Sequence, residues 1–195
     1  MSANFINAMN AMNAHYKTGT LQAFAIDDHL EHFPLAATAN MVMLSATADD
    51  TADVTAAIAK ITGDAKAAVS TSTSTQQTGI TTACTALSDN KTSSAAPNDF
   101  ITRMTAQRDQ AKADAAKTID TAYQAAIDLG KNAPEAQQNS IISGMQTLSS
   151  TINNVFSTIT NFVSGLIEKV MNIINGIYDF LKGIQDTFKS IASIF

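Results

Sequence analysis

The side chains best suited to hold a metal ion cluster in the segment IDDHLEHFP, residues 26–34. Asp28 and His32 are four residues apart and His29 and His32 are three apart, so a helix would present them on one face. Imidazole and carboxylate groups together bind zinc and other divalent cations. The same residues also suit a solvated helix end before Pro34, or a histidine switch that titrates in mild acid. Because no second group of ligands follows along the chain, we expect no metal, with Asp28, His29 and His32 as the candidates to test.

No catalytic constellation accompanies these residues. The single cysteine, Cys84, excludes a disulfide within the chain, and its helical spacing with Ile80 and Leu87 predicts a small, buried side chain. The sequence contains no glycine-rich phosphate loop, no CxxC, no HExxH and no GxSxG. We therefore expect a non-enzymatic protein that carries no cofactor.

Charge is sparse, and its sign argues against binding to nucleic acid. Only 15% of the residues are charged, the formal net charge is -5, and no basic stripe could neutralise a row of phosphates. At the same time 45% of the residues are hydrophobic. A surface with so few charges is typical of a protein that associates with itself or changes environment, so a homo-oligomer or an apolar surface is the expected partner.

The chain shows no cleavable signal peptide, because no basic segment precedes an apolar run at its start. It also has no run of about 18 apolar residues of the kind that spans a membrane. We expect the protein to be made in the cytoplasm and, if exported, to be released or assembled into an extracellular or virion particle.

Helical spacing of apolar residues continues through most of the sequence. Residues 1–33 are expected to form an amphipathic helical segment that Gly19 interrupts, and residues 34–130 an Ala/Thr-rich helical bundle. The run from Ser70 to Gly79 is the weakest part of the bundle, either a loop or a helix held by packing. A further helix is predicted from about Phe100 to Leu129, capped by Asn98 or Asp99. Gly130 is expected to end that helix as a left-handed C′ glycine.

Residues 131–195 are predicted to form a long C-terminal amphipathic helix with heptad-like spacing. Asn132, Pro134 and Glu135 match the start of a helix with a capping box. The seam begins at Ile141 and continues to the last residue. No charged residue occurs from Ala136 to Ile167, whereas the later half has a wider apolar face. Gly165 or Gly176 could fold the helix back into a hairpin, and the sequence leaves a straight helix equally open.

These features predict an all-α fold, an elongated bundle of about four to five helices forming one domain. The predicted function is that of a self-associating, membrane-active helical protein of the pore-forming or translocator kind. The alternative is a structural subunit of an ordered assembly, such as a filament, a virion, or a lipid or granule coat. The residues predicted to contact lipid or another copy are Ile159, Phe162, Leu166, Val170, Ile173, Ile174, Ile177, Phe180, Leu181, Ile184, Phe188, Ile191 and Phe195.

Overall fold

The structure is a computed structural model that describes residues 3–20, 48–90, 92–170 and 177–194. Within these ranges the chain forms five helices and no strand, which confirms the predicted all-α fold. The helices are α1 (Ala3–Lys17), α2 (Ala48–Asp89), α3 (Ala96–Gly130), α4 (Glu135–Glu168) and α5 (Ile177–Ala192). The predicted helix start at Pro34 and the metal candidates Asp28, His29 and His32 lie outside the described residues.

The chain divides into two compact units. Unit 1 comprises Met1–Lys66 and Ala116–Ser150, and unit 2 comprises Ala67–Ala115 and Thr151–Phe195. Each of the three long helices therefore contributes residues to both units. The largest fully buried side chains of unit 1 are Phe5, Met9, Met12, Tyr16, Ile119, Tyr123, Ile141 and Ile142. Those of unit 2 are Ile80, Leu87, Phe100 and Met104, joined by the buried apolar residues of α4 and α5.

The serine- and threonine-rich run in the middle of α2 is helical, although such residues are poor helix formers. Packing of its inner side stabilises the helix here. Four residues of that side are at most 8% exposed: Val69, Thr73, Gln76 and Ile80. Their spacing of four, three and four residues places them on one face of the helix. Of the two predicted states of Ser70–Gly79, a loop or a helix held by packing, the second is present.

α3 begins at Ala96, earlier than its predicted start near Phe100. Pro97 suits the first turn because its missing N–H would have no acceptor within the helix. The chain just before the helix is ordered by Ser93, whose Oγ accepts from the Ala95 N–H at 3.3 Å and whose carbonyl accepts from the Ala96 N–H at 3.2 Å. The helix therefore extends through the residues that the sequence suggested as its cap.

α3 ends at Gly130, as predicted, but Gly130 is the last helical residue rather than a left-handed C′ residue. Among the described glycines only Gly19 has a positive φ, of 79°. Gly130 is the last residue of α3, and a Cβ placed on it would lie 2.2 Å from the Phe5 ring. Glycine is thus required here for the close approach of a side chain from α1.

The N-cap of α4 is Pro134 rather than the predicted Asn132. The Pro134 carbonyl accepts from the N–H groups of Gln137 at 2.9 Å and Gln138 at 3.0 Å, so Pro134 occupies the N-cap position. The Asn132 side chain makes no hydrogen bond within the described part of the chain. Instead the buried Gln138 amide donates to the carbonyls of Gly130 at 3.0 Å and Ala133 at 3.1 Å, which ties the first turn of α4 to the end of α3.

The C-terminal seam is divided between two helices that fold back on each other. The rings of Phe162 in α4 and Phe188 in α5 have centroids 6.3 Å apart and meet edge to face at 87°. In one straight helix the two residues would be roughly 40 Å apart, at about 1.5 Å per residue. The hairpin that the sequence left open is therefore the observed arrangement, although Gly176 lies outside the described residues.

Candidate functional site: the charge-free helix faces

The chain itself covers most of those predicted lipid- or copy-contacting residues whose side chains the structure describes. Among those whose side chains the structure describes, all but one are at most 7% exposed: Ile159, Leu166, Val170, Ile184, Phe188 and Ile191. Phe162 is half-buried against Phe188. A role for these residues at a membrane or between copies remains a prediction, and it requires that unit 2 open.

The remaining members of that set are not described in full. Ile173, Ile174 and Phe195 lie outside the described residues. Ile177, Phe180 and Leu181 belong to α5, but their side chains are outside what the structure describes.

Two helical segments carry no charged side chain. One is residues 67–88 of α2, about 33 Å long, and the other is residues 136–167 of α4, about 48 Å long. We call them the α2 and α4 charge-free segments. The first lies wholly in unit 2, and the second contributes to both units. Segments of this length without a charge are unusual on a water-exposed helix.

Most of the exposed hydroxyl groups of the α2 charge-free segment are hydrogen-bonded to their own helix. Five of them donate to the carbonyl oxygen four residues earlier, at 2.9–3.0 Å: Thr71, Ser74, Thr75, Thr78 and Thr85. A hydroxyl that donates in this way keeps its hydrogen bond when water leaves. The polar face of this segment is therefore less costly to dehydrate than its composition suggests.

Exposed threonines also form a continuous row along α2. Thr71, Thr75, Thr78, Thr82 and Thr85 are all exposed and follow one another by four and three residues in alternation. Positions with this spacing lie along one side of a helix. The row presents short, uncharged side chains over about four turns of the helix.

The α4 charge-free segment shows the same pattern on its outer side. Ser140, Thr147 and Thr158 donate to the carbonyl four residues earlier at 2.9–3.3 Å, and Thr160 donates to the Ser157 carbonyl at 3.0 Å. On the inner side Ser149 is fully buried and donates to the Met145 carbonyl at 2.7 Å, and its Oγ lies 3.3 Å from the Tyr123 hydroxyl. Burial raises the pKa of Tyr123 above its usual range, so its hydroxyl stays neutral.

A buried polar contact fixes the inner side of the α2 charge-free segment to α3. Gln76 is 0% exposed, and its amide, oriented to satisfy both ends, donates to the Gln107 carbonyl at 3.0 Å and the Gln107 Oε1 at 2.7 Å. A Cβ on Gly79 would lie 2.5 Å from Gln107 Nε2, so this glycine leaves room for the same side chain. Ser72 adds a hydrogen bond to the Asp114 carboxylate. The exposed threonine row is thereby held on a fixed support.

Cys84 lies on the inner side of the same segment and is buried, as its spacing predicted. Burial raises the pKa of its thiol to about 12. The thiol is therefore neutral near neutral pH and is a packing group rather than a nucleophile.

A cavity of about 190 Å³ lies in unit 2 where α2 ends and α3 begins. Leu87 and Phe100 form buried parts of its wall, and Asp99 and Arg103 line it from successive turns of α3. Across the described residues, no group of three or more His, Cys, Asp or Glu side chains is placed to hold a metal ion.

The charge-free segments were visible in the sequence, but their packing was not. None of the helices in the described ranges combines the length and apolar character needed to cross a bilayer. No known protein family, curated protein or solved structure matches this chain. The candidate site is thus two long uncharged helix segments, whose outer hydroxyls largely donate to their own helices and whose inner sides pack apolar residues around a few buried polar ones.

Proposed function

We propose that the chain is a non-enzymatic, self-associating helical protein that acts on membranes, of the pore-forming or translocator kind. The observation that carries the proposal is the pair of charge-free segments in α2 and α4, whose outer hydroxyls donate to their own helices. A charged side chain at the centre of a bilayer costs about 2.5–3.5 kcal/mol on insertion scales. Segments of 22 and 32 residues without a charge avoid that cost entirely.

Membrane action on this proposal begins with an opening of unit 2. The apolar sides of α4 and α5 are packed inside the chain, and Ile159, Ile184 and Phe188 are at most 3% exposed. Once freed, these sides would face lipid while the hydroxyl-rich sides of several copies line an aqueous path. Such a pore needs several amphipathic helices rather than one uninterrupted apolar span, so self-association is part of the mechanism.

A second function is favoured by a different observation, the exposed threonine row of α2. Thr71, Thr75, Thr78, Thr82 and Thr85 are accessible in the folded state, so another copy could pack on them without any opening. This is the geometry expected of a structural subunit in a filament, a virion, or a lipid or granule coat. The two functions differ in whether unit 2 must unpack.

Dye release from liposomes tests the first proposal. We expect purified protein at micromolar concentration to release an entrapped dye, and we expect release to rise more steeply than linearly with protein concentration. A charge at Ile159 would not be an informative variant, because this side chain is 0% exposed and its replacement would unfold unit 2. Absence of both dye release and liposome binding would refute membrane activity.

Negative-stain electron microscopy separates the two functions. The structural-subunit proposal predicts large, regular particles without lipid. The membrane proposal predicts rings or clusters that form only when liposomes are present. A single-sized monomer in both conditions would contradict both proposals.

A further inference from the structure

Helix α1 lies antiparallel to the C-terminal part of α3 in unit 1. Phe5, near the start of α1, contacts Gly130, the last residue of α3. Asn13 and Lys17, near the end of α1, both donate to Asp120 Oδ1 at 2.9 Å. Contacts at both ends fix the direction and register of the helix pair.

The buried side of α1 is almost wholly apolar. It comprises Phe5, Ala8, Met9, Met12 and Tyr16, each at most 1% exposed. The outer side includes the exposed residues Asn4, Asn7 and Asn10, and α1 has no acidic residue. α1 therefore covers a substantial apolar surface of unit 1 with one side of a 15-residue helix.

The residues that α1 covers are those that join α3 to α4. Gly130, against which Phe5 packs, also receives the Gln138 amide of α4 on its carbonyl at 3.0 Å. Tyr123 of α3 is fully buried in the same unit, and its hydroxyl lies 3.3 Å from Ser149 Oγ of α4. Removal of α1 would uncover Gly130, where the first turn of α4 is bound to the end of α3 through Gln138.

The polar contacts of α1 hold it only weakly. The side chains of Lys17 and Asp120 are 41% and 44% exposed, so solvent screens their ion pair. Asn13 Oδ1 is buried and has no hydrogen-bond partner among the described residues, which offsets part of what the Asn13 bond to Asp120 contributes. Relative to these two polar contacts the apolar packing of α1 is the stronger attachment, and a change in that packing should shift its docking directly.

We propose that α1 is an autoinhibitory element, which must leave the end of α3 before the α4 charge-free segment can separate and enter a membrane. The inference rests on the membrane activity proposed above. It adds the identity of the contact that keeps the protein in its closed state. Docking of α1 and membrane activity are then opposed, so a variant that loosens α1 releases dye faster.

Gly130→Ala is the variant that tests the inference most sharply. Its Cβ would lie 2.2 Å from the Phe5 ring, a contact that can be relieved only if the ring or α1 shifts. Gly63→Ala is the matched control, because it makes the same chemical change in the same unit and its Cβ has nothing within 4 Å. Phe5→Ala loosens α1 by the opposite change, the removal of the ring, and serves if Gly130→Ala does not fold.

Two measurements on the full-length chain are needed. Hydrogen exchange of the amides of α1 reports its docking without reference to membranes. Dye release from liposomes of mixed zwitterionic and anionic lipid reports activity. We expect Gly130→Ala to increase both rates by about tenfold, the scale of an overpacked buried contact, and Phe5→Ala by about a hundredfold, the scale of a truncated buried phenylalanine. Gly63→Ala should match the wild type in both measurements.

The possible failures are distinguishable. If exchange in α1 accelerates but dye release does not, α1 is not inhibitory, and the inference is overturned while the proposed function stands. If neither Gly130→Ala nor Phe5→Ala accelerates hydrogen exchange in α1, the Phe5–Gly130 contact does not hold α1 in place. That result also overturns the inference that α1 is autoinhibitory. If neither the wild type nor any variant releases dye, the proposed function fails and the inference fails with it.

Discussion

Replacement of Phe188 by alanine should detach α5 from α4. Phe188 is 3% exposed, and its ring meets the Phe162 ring edge to face with centroids 6.3 Å apart. Truncation of a buried phenylalanine costs about 3–5 kcal/mol, from lost burial and the cavity left behind. About 0.5–1.5 kcal/mol of that comes from the ring pair itself.

The loss of stability in Phe188→Ala should be concentrated in α5. α5 has 16 residues, close to the length at which an isolated helix is only marginally stable in water. Its other described inward residues are Ile184 and Ile191, at 1% and 2% exposure. With Phe188 removed, Ile184 and Ile191 are the buried side chains that remain in the described part of the helix, so we expect local detachment before global unfolding.

Hydrogen exchange followed by mass spectrometry measures this detachment. A loss of about 3 kcal/mol corresponds to an increase in the exchange rate of α5 amides on the order of a hundredfold. Lys189→Ala is the matched control, since the Lys189 side chain is 78% exposed and its loss should change stability by less than about 0.5 kcal/mol. An increase below about fivefold in Phe188→Ala would refute the claim that this contact holds the hairpin closed.

Three further predictions follow from particular side chains. Because burial raises the pKa of Cys84 from 9.0 to about 12, its contribution to stability is complete below pH 9.0 and is lost as the pH rises toward 12. Urea unfolding at about pH 8 and about pH 10.5 should therefore show a smaller loss in Cys84→Ala than in the wild type. Hydrogen bonds from Asn13 and Lys17 lower the pKa of Asp120 below 3.8, so its contribution is present above that pH and is lost in stronger acid. Asp120→Asn should reduce the acid sensitivity of α1 exchange, and unchanged sensitivity would show that another carboxyl group is responsible. Gly63→Ala should raise the free energy of unfolding by about 0.4–1 kcal/mol, because its Cβ enters open space in the middle of α2. Gly79→Ala should gain less or lose stability, since its Cβ would lie 2.5 Å from Gln107 Nε2, and an equal gain in urea unfolding would contradict this packing.

Local chemistry made part of the fold predictable from sequence. Apolar spacing predicted the body of α3 and the burial of Cys84, because both depend on which side of one helix faces inward. The absence of charge from Ala136 to Ile167 was likewise visible directly. Exact helix ends were less predictable, since Pro97 and Pro134 are each compatible with more than one N-terminal position.

Contacts between residues far apart in the sequence could not be predicted from the spacing of apolar residues. The apolar spacing of the C-terminal region is consistent with a straight helix and with a hairpin, and only the Phe162–Phe188 contact decides between them. Gly130 resembled a helix-terminating glycine, whereas its role depends on Phe5, more than a hundred residues earlier. The helicity of Ser70–Gly79 depends on the buried Gln76 contact with α3, which no propensity scale contains.

On the proposed function, the buried side of the α4–α5 hairpin becomes a lipid-facing surface. The chain has no tryptophan, so Phe162→Trp would provide a single fluorescent probe at the hairpin, and Thr92→Trp a control at an exposed site between α2 and α3. With liposomes that contain brominated lipid, we expect the tryptophan emission at residue 162 to shift to the blue and to be quenched. We expect neither change at residue 92. If the probe at residue 162 keeps its emission while the same liposomes release dye, the hairpin is not the surface that enters the membrane.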